Sequence, residues 1–383
     1  MKRAVTYFIL SATCTIGALA DGLRFSHGPY LQNVTTDEAT IFFTTNARTF
    51  SWVEIESEEW NTPRQYFNTE AGLVQAYRYD NAVHIKNLEP GKNYRYRLVS
   101  KEIKDFQPYK IIYGDSIASE WYSFNTLPPK MQDCSFVIVN DIHDNAEKLR
   151  TLLELSSHEK ADAIFYLGDM ISHFDNPETP YNGFIDVSTE LFAKNKPFIA
   201  VRGNHETRGN LARTYHNYIE RKQGEFYGIY YYGNTAIIVL DTGEDKPDTH
   251  PVYGGINRFD EYRKQQAEWL EKEIRSKRFR KTKNRIVLMH IPPVHTSRTA
   301  TPEDHAVGHL AELFTPIFNK AKVDLVLSGH THRHYFIEKR DGSNKFPVVI
   351  NDHRSVAELS VNKEGIKIKI TAADGNTIFD KQF

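Results

Sequence analysis

Between Leu23 and Leu127, apolar and polar residues alternate in short runs at Ala39–Thr45, Trp52–Glu56, Ala82–Lys86, Tyr94–Val99 and Trp121–Asn125, separated by turn residues. Neighbouring side chains of a strand point to opposite faces, so this spacing predicts half-buried strands stacked as an all-β sandwich. In Tyr94-Arg95-Tyr96-Arg97-Leu98 the two rings and the leucine share one face and the arginines the other, which suits Tyr94 to the corner position of such a sandwich. Leu127-Pro128-Pro129-Lys130 ends the pattern, because proline cannot donate to a ladder, and a domain boundary is placed there.

Beyond the boundary the rhythm changes. Unbroken apolar runs predict buried strands at 135–140, 163–167, 198–202, 235–240, 286–290 and 323–328, and helices are predicted near 145–156, 184–194, 258–276 and 303–320. Strand and helix in alternation predict an α/β layered domain. Short β runs return at Phe346–Ile350, Val356–Val361 and Ile366–Ile370, and are expected to complete a second sheet.

Length and composition narrow this picture. A chain of 383 residues holds two or three domains, and 40 % hydrophobic residues is ordinary for a globular protein. The net charge is −1, and removal of Lys2 and Arg3 with a leader takes it to −3, so nothing favours nucleic acid. Two cations, an apolar stretch from Ala4 to about Leu19 and the ending Ala18-Leu19-Ala20 have the grammar of a secretory signal peptide over 1–20. Thr6, Ser11, Thr13 and Thr15 dilute that stretch and argue against a membrane span. The protein is therefore expected to be exported, periplasmic or secreted. Ser11-Ala-Thr-Cys14 offers lipid anchoring at Cys14 as the alternative, although Thr13 fits that role poorly. With the leader removed, Cys134 is the one cysteine left, and no internal disulfide can form.

The candidate chemistry lies in five segments, most of them directly after an apolar run: Asp141-Ile-His143, Gly168-Asp169, Gly203-Asn204-His205-Glu206, His290 and Gly329-His330-Thr331-His332. Open α/β sheets bind ligands at the carboxyl ends of their strands. Two divalent cations about 3.5–4 Å apart require a bridging carboxylate, neutral imidazoles and open positions, and these segments supply such a set. Asp141 and His143, two apart, converge only if a turn follows the strand. Gly168 allows close backbone approach beside Asp169, the natural bridge. Asn204 offers a neutral oxygen, and His290, His330 and His332 offer nitrogen. Two dications against two aspartates leave a surplus of about +2, which attracts an anion and drives a bridging water towards hydroxide. His205 is spare and is placed as the catalytic acid or as a phosphoryl contact.

In their order these segments resemble the D-x-H, G-D, G-N-H-[DE], H and G-H-x-H motifs of the calcineurin-like metallophosphoesterases, over about 135–335. The resemblance implies a four-layer αββα domain, and two divalent ions of manganese, iron or zinc. It implies that Asp141, His143, Asp169 and His332 hold one ion, and that Asp169, Asn204, His290 and His330 hold the other. The first domain, 21–127, resembles a fibronectin type III-like sandwich. Set ahead of a catalytic domain over 128–383, it is similar to the layout of purple acid phosphatases. That family carries a tyrosine three residues after the shared aspartate; here the position is Ser172. A colourless enzyme with exchangeable divalent metals is expected, acting on a small phosphorylated substrate. Phosphomonoester hydrolysis comes first, with phosphodiester or nucleotide hydrolysis on the same site and a non-catalytic surface binding module as alternatives.

Other residues carry weaker signals. Arg202 is a candidate substrate contact, with a strand-end surface role as the plainer reading. Glu206 is read as a hydrogen-bond acceptor outside the site. His173, His295, Arg298, His305 and His353 are read as solvent-facing.

Overall fold

The structure is a computed structural model that describes residues 22–299 and 304–383. The leader reading over 1–20 and the Cys14 alternative fall outside the described residues. No described helix is long and apolar enough to cross a membrane.

The first domain is the expected sandwich, built around one long strand, Ala39–Glu56. Its first half pairs with Tyr30–Gln32 and Ala76–Ile85; after an irregularity between Thr44 and Thr49 its second half pairs with Arg64–Tyr66 and Asn93–Gln107. One chain thus serves both layers, and Ile41, Phe43, Val53, Ile55, Tyr94, Tyr96 and Leu98 fill the space between them. The Tyr94 hydroxyl accepts the Glu89 amide at 2.8 Å, as the corner position requires. Ala39–Thr45 is buried on both faces rather than one, because Phe42 and Tyr30 pack outward against the helices of the second domain. Lys110–Ala118 was not foreseen, since it is largely exposed on both faces and gives no apolar alternation.

The second domain has the expected four layers. In one sheet the order is Phe198–Val201, Ala163–Leu167, Cys134–Val139, Ser355–Asn362, Gly365–Ala372 and Thr377–Gln382, with the first three strands parallel. In the other it is Gly228–Tyr232, Thr235–Leu240, Asn284–Met289, Leu325–Ser328, Val348–Ile350 and Tyr335–Ile337, with the four middle strands parallel. The unbroken apolar runs follow from burial on both faces. Phe136 and Ile138 enter the core between the sheets, while Val137 and Val139 face the helix Ala146–Glu154 and the helical run Tyr181–Ala193. On the far side Ile238 and Leu240 pack under the helices Phe259–Glu273 and His305–Ala321.

One expectation is only half met. The segment from Tyr335 onward divides between the sheets: Val348–Ile350 and Tyr335–Ile337 finish the second, whereas the last three strands extend the first in antiparallel succession from Cys134–Val139. A strand's own pattern says that it is buried, not which of two facing sheets it joins.

Candidate metal centre

Every one of the five segments begins where a parallel strand ends, and the carboxyl ends of both sheets open toward the same place. Asp141 follows Cys134–Val139, Asp169 follows Ala163–Leu167 and Asn204 follows Phe198–Val201; from the other sheet come His290 and His330. The turns that make this possible are visible in the backbone. Asp141, His143, Asp169, His330 and His332 all have φ between 52° and 70°, a region that side-chain-bearing residues rarely adopt. Such conformations persist only where the surroundings hold them, and they cluster at functional sites. At Gly168 a Cβ would collide with the His290 imidazole, which confirms the close approach expected there.

The side chains converge in two overlapping groups. Asp141, His143 and His332 form one, with His332 Nε2 3.1 Å and His143 Nε2 3.9 Å from Asp141 Oδ1. Asp169, His290 and His330 form the other, with His290 Nε2 3.0 Å from Asp169 Oδ2. His143 and Asp169 also group with His205, which joins the two halves. Asn204 is buried and directly precedes His205, whose amide donates to Asp169 Oδ1 at 2.9 Å. The Asp141 Oδ1, Asn204 Oδ1 and His290 Nε2 atoms are buried without a hydrogen-bond partner. Asp141 Oδ1 and His290 Nε2 belong to these groups and Asn204 Oδ1 to the loop before His205, and such unpartnered atoms fit a metal-binding role, since buried polar atoms are otherwise almost always satisfied.

Neighbouring groups fix the orientation of this set. His290 Nδ1 donates to the Leu167 carbonyl at 2.8 Å, which turns Nε2 toward Asp169, where an ion would replace its proton. Asp141 Oδ2 accepts from Asn140 at 2.6 Å and from the His330 amide at 2.9 Å, which leaves Oδ1 to the cluster. Burial resists ionisation of Asp141 and Asp169, but the charge of His290 outweighs it and both stay below the usual carboxylate range. For His290 burial is likewise overcome, by Asp169 and Asp141, and its value rises to about 10. Burial lowers His143 to about 4 and also lowers His330, so both favour the neutral form that ligates.

Sequence reasoning undervalued two residues and missed two. Glu206 accepts hydrogen bonds as read, but at the metal loops: its fully buried carboxylate takes the amides of Asp169, Met170, Ile171 and Gly203 at 2.7–3.4 Å and ties two of those loops together. His353, expected to face solvent, packs on His332 with ring centroids 4.8 Å apart. Arg208 and Glu244 were not singled out: the guanidinium is gripped by the Glu244 carboxylate at 2.8–2.9 Å and reaches His205. No local pattern marks them, because the pair spans a sequence gap that only folding closes. Arg202 has its guanidinium engaged by Asp241 at 2.8 Å and stacked on Phe226. Ser172 contributes its carbonyl, which accepts from His205 Nδ1 at 2.7 Å.

A carboxylate–imidazole cluster at the joined ends of two such sheets defines a metallophosphoesterase. The chain belongs to the calcineurin-like phosphoesterase family, whose model matches residues 134–334. Its relatives include purple acid phosphatase 5 of Arabidopsis thaliana, 24 % identical over 67 % of this chain and 57 % of the relative. Purple acid phosphatase 21 of the same plant is 23 % identical over 80 % and 65 %. The chain thus spans under two thirds of the length of both. Among solved structures, the purple acid phosphatase PPD1 of yellow lupin shares the fold with a TM-score of 0.67 at 17 % identity, over 92 % of this chain and 73 % of that one. PhoD does so with a TM-score of 0.64 at 13 % identity, over 94 % and 90 %.

Proposed function

We propose that the protein is an exported phosphatase that hydrolyses phosphomonoesters at a dinuclear divalent-metal centre, with residues 21–127 and 128–383 as its two domains. The observation that carries this reading is the pair of buried, unpartnered atoms Asp141 Oδ1 and His290 Nε2 in the carboxylate–imidazole cluster, with a third, Asn204 Oδ1, in the loop before His205. Asp141, His143, Asp169 and His332 would hold one ion, and Asp169, Asn204, His290 and His330 the other, as manganese, iron or zinc. Bound there, the ions supply Lewis acidity toward phosphoryl oxygens and bring water within reach of deprotonation near neutral pH.

The protein's own groups do the rest. Nδ1–H of His205 is held by the Ser172 carbonyl, so Nε2 carries the lone pair, and Arg208 Nη1 donates to it at 3.0 Å. An anionic phosphoryl oxygen is a stronger acceptor for Arg208 than a neutral imidazole, so substrate draws the guanidinium off and frees Nε2. The freed Nε2 then takes a proton from water and gives it to the leaving oxygen. Glu244 keeps Arg208 from following the substrate out. Asn204 and His205 flank the phosphoryl group. Export rests on the leader pattern of residues 1–20, with Cys14 anchoring as its alternative.

The test is turnover of an aryl phosphate with added manganese or zinc, beside a panel of monoesters, diesters and nucleotides. Turnover that is highest on monoesters and lost in Asp169→Asn is expected. Preference for diesters or nucleotides replaces the substrate assignment, and no turnover on any of them, unchanged by Asp169→Asn, overturns the enzyme reading in favour of a surface binding module.

A further inference from the structure

We propose that Asp260, His305 and His309 form a second cation site, apart from the sheet-end centre, which takes a zinc-class ion and ties two helices together. Asp260 lies in the first turn of the helix Phe259–Glu273. His305 and His309, four residues apart, share a face at the start of His305–Ala321, the helix packed beside it.

The three ligand atoms already converge. His305 Nε2 is 2.8 Å and His309 Nδ1 3.2 Å from the same Asp260 oxygen, and the two rings stack with centroids 5.5 Å apart. Ligand atoms around a tetrahedral zinc ion lie roughly 3.3 Å from one another, so little movement is needed. The decisive detail is His309 Nδ1, a buried nitrogen with no hydrogen-bond partner despite that 3.2 Å approach. His290 Nε2 shows the same combination against Asp169 at 3.0 Å in the sheet-end cluster. Polar atoms this close that do not bond are aimed past one another, toward a shared third point.

The surroundings suit the role. Arg263, fully buried, donates to the Thr242 and Glu244 carbonyls and to Asp260 Oδ1, which orients the carboxylate as outer-shell partners of metal ligands do. Arg263 and His305 both donate to Oδ1, and an ion bound there would take the place of the His305 proton. Two nitrogens and one carboxylate oxygen suit zinc better than magnesium or calcium.

An ion here would also steady the cluster wall. Arg263 anchors the carbonyl of Glu244, the residue that grips Arg208, and the Ala306 amide at the start of the second helix donates to the Asp245 carbonyl at 3.0 Å. Both ends of the 241–245 loop are thus tied to the helices that the ion would join.

The experiment compares zinc binding by chelator-treated, full-length Asp169→Asn protein with that of the same protein carrying His309→Gln, by elemental analysis and by thermal melting with and without zinc. Asp169→Asn is expected to retain a zinc equivalent and a zinc-dependent rise in Tm, both lost with His309→Gln, where affinity falls at least about tenfold. His309→Gln keeps the Asp260–Arg263 pair; should it fail to fold, His305→Gln takes its place. Equal zinc content and an equal Tm rise in both proteins overturn the proposal. Cobalt in place of zinc gives a second readout: a tetrahedral visible spectrum that His309→Gln abolishes supports the site, and identical spectra refute it.

Discussion

Arg208 meets His205 at 3.0 Å between Nη1 and Nε2, while Glu244 holds the opposite edge of the same guanidinium. Tyr253 and Thr207 hydroxyls donate to Glu244 in turn, so the arginine is fixed from behind and presents one donor to the cluster. Arg208→Lys keeps the charge but loses the fork, and a charge-assisted bond is worth about 1.5–3 kcal/mol. A fall of roughly 10–100-fold in kcat/KM is expected. Glu244→Gln should reproduce part of it, with weaker inhibition by inorganic phosphate. Unchanged kcat/KM and phosphate inhibition in both variants would remove Arg208 from the site.

Glu206 makes its contribution through backbone. Replacing it with Gln substitutes a donor for one of two acceptors that face the amides of Asp169, Met170, Ile171 and Gly203. Leaving buried amides unpaired costs about 1–3 kcal/mol each. The expected outcome is a lower Tm together with roughly 10–100-fold weaker metal retention, as for other groups that orient metal ligands. A lower Tm with full metal affinity would limit Glu206 to stability alone.

The buried histidines predict how stability depends on pH after chelator treatment. Burial holds His143 at about 4, against 6.5 ordinarily, so between those values the unfolded chain binds the proton and the folded chain does not. Its contribution is full above about 6.5 and lost as pH falls toward 4. His290 has the opposite sign: raised to about 10, it contributes fully below 6.5 and is lost as pH rises through 10. Bound cations take over the partnership of Asp169 with the His290 proton, so metal-loaded protein should lack the alkaline limb. Melting temperatures from pH 4 to 10, with and without metal, check this; His290→Ala should remove the alkaline limb from the chelated protein.

Cys134 is a free, buried thiol whose pKa burial pushes up to about 12. The thiolate is the reactive form, so a maleimide should leave it unlabelled in folded protein and label it once the chain is unfolded. Rapid labelling of the native protein would show that the strand Cys134–Val139 opens readily.

Ser172 has no phenol to offer a metal, and lends its carbonyl to His205 instead. Iron-loaded protein is expected to lack the tyrosinate band in its visible spectrum, and such a band would mean that another tyrosine reaches the metal.

Much of this was legible in the chain itself. Buried parallel strands need apolar residues on both faces, so runs such as Cys134–Val139 announce themselves, and the polar residues at their ends mark the sheet edge where ligands bind. What the sequence could not decide is what lies between chain-distant groups. Arg208 finds Glu244, His309 finds Asp260, and the last three strands choose the first sheet over the second, all through contacts made only after the layers pack. Local periodicity encodes burial because each residue's face follows from its own backbone. Partnership across layers depends on the position of two backbones at once, and only the tertiary structure supplies that.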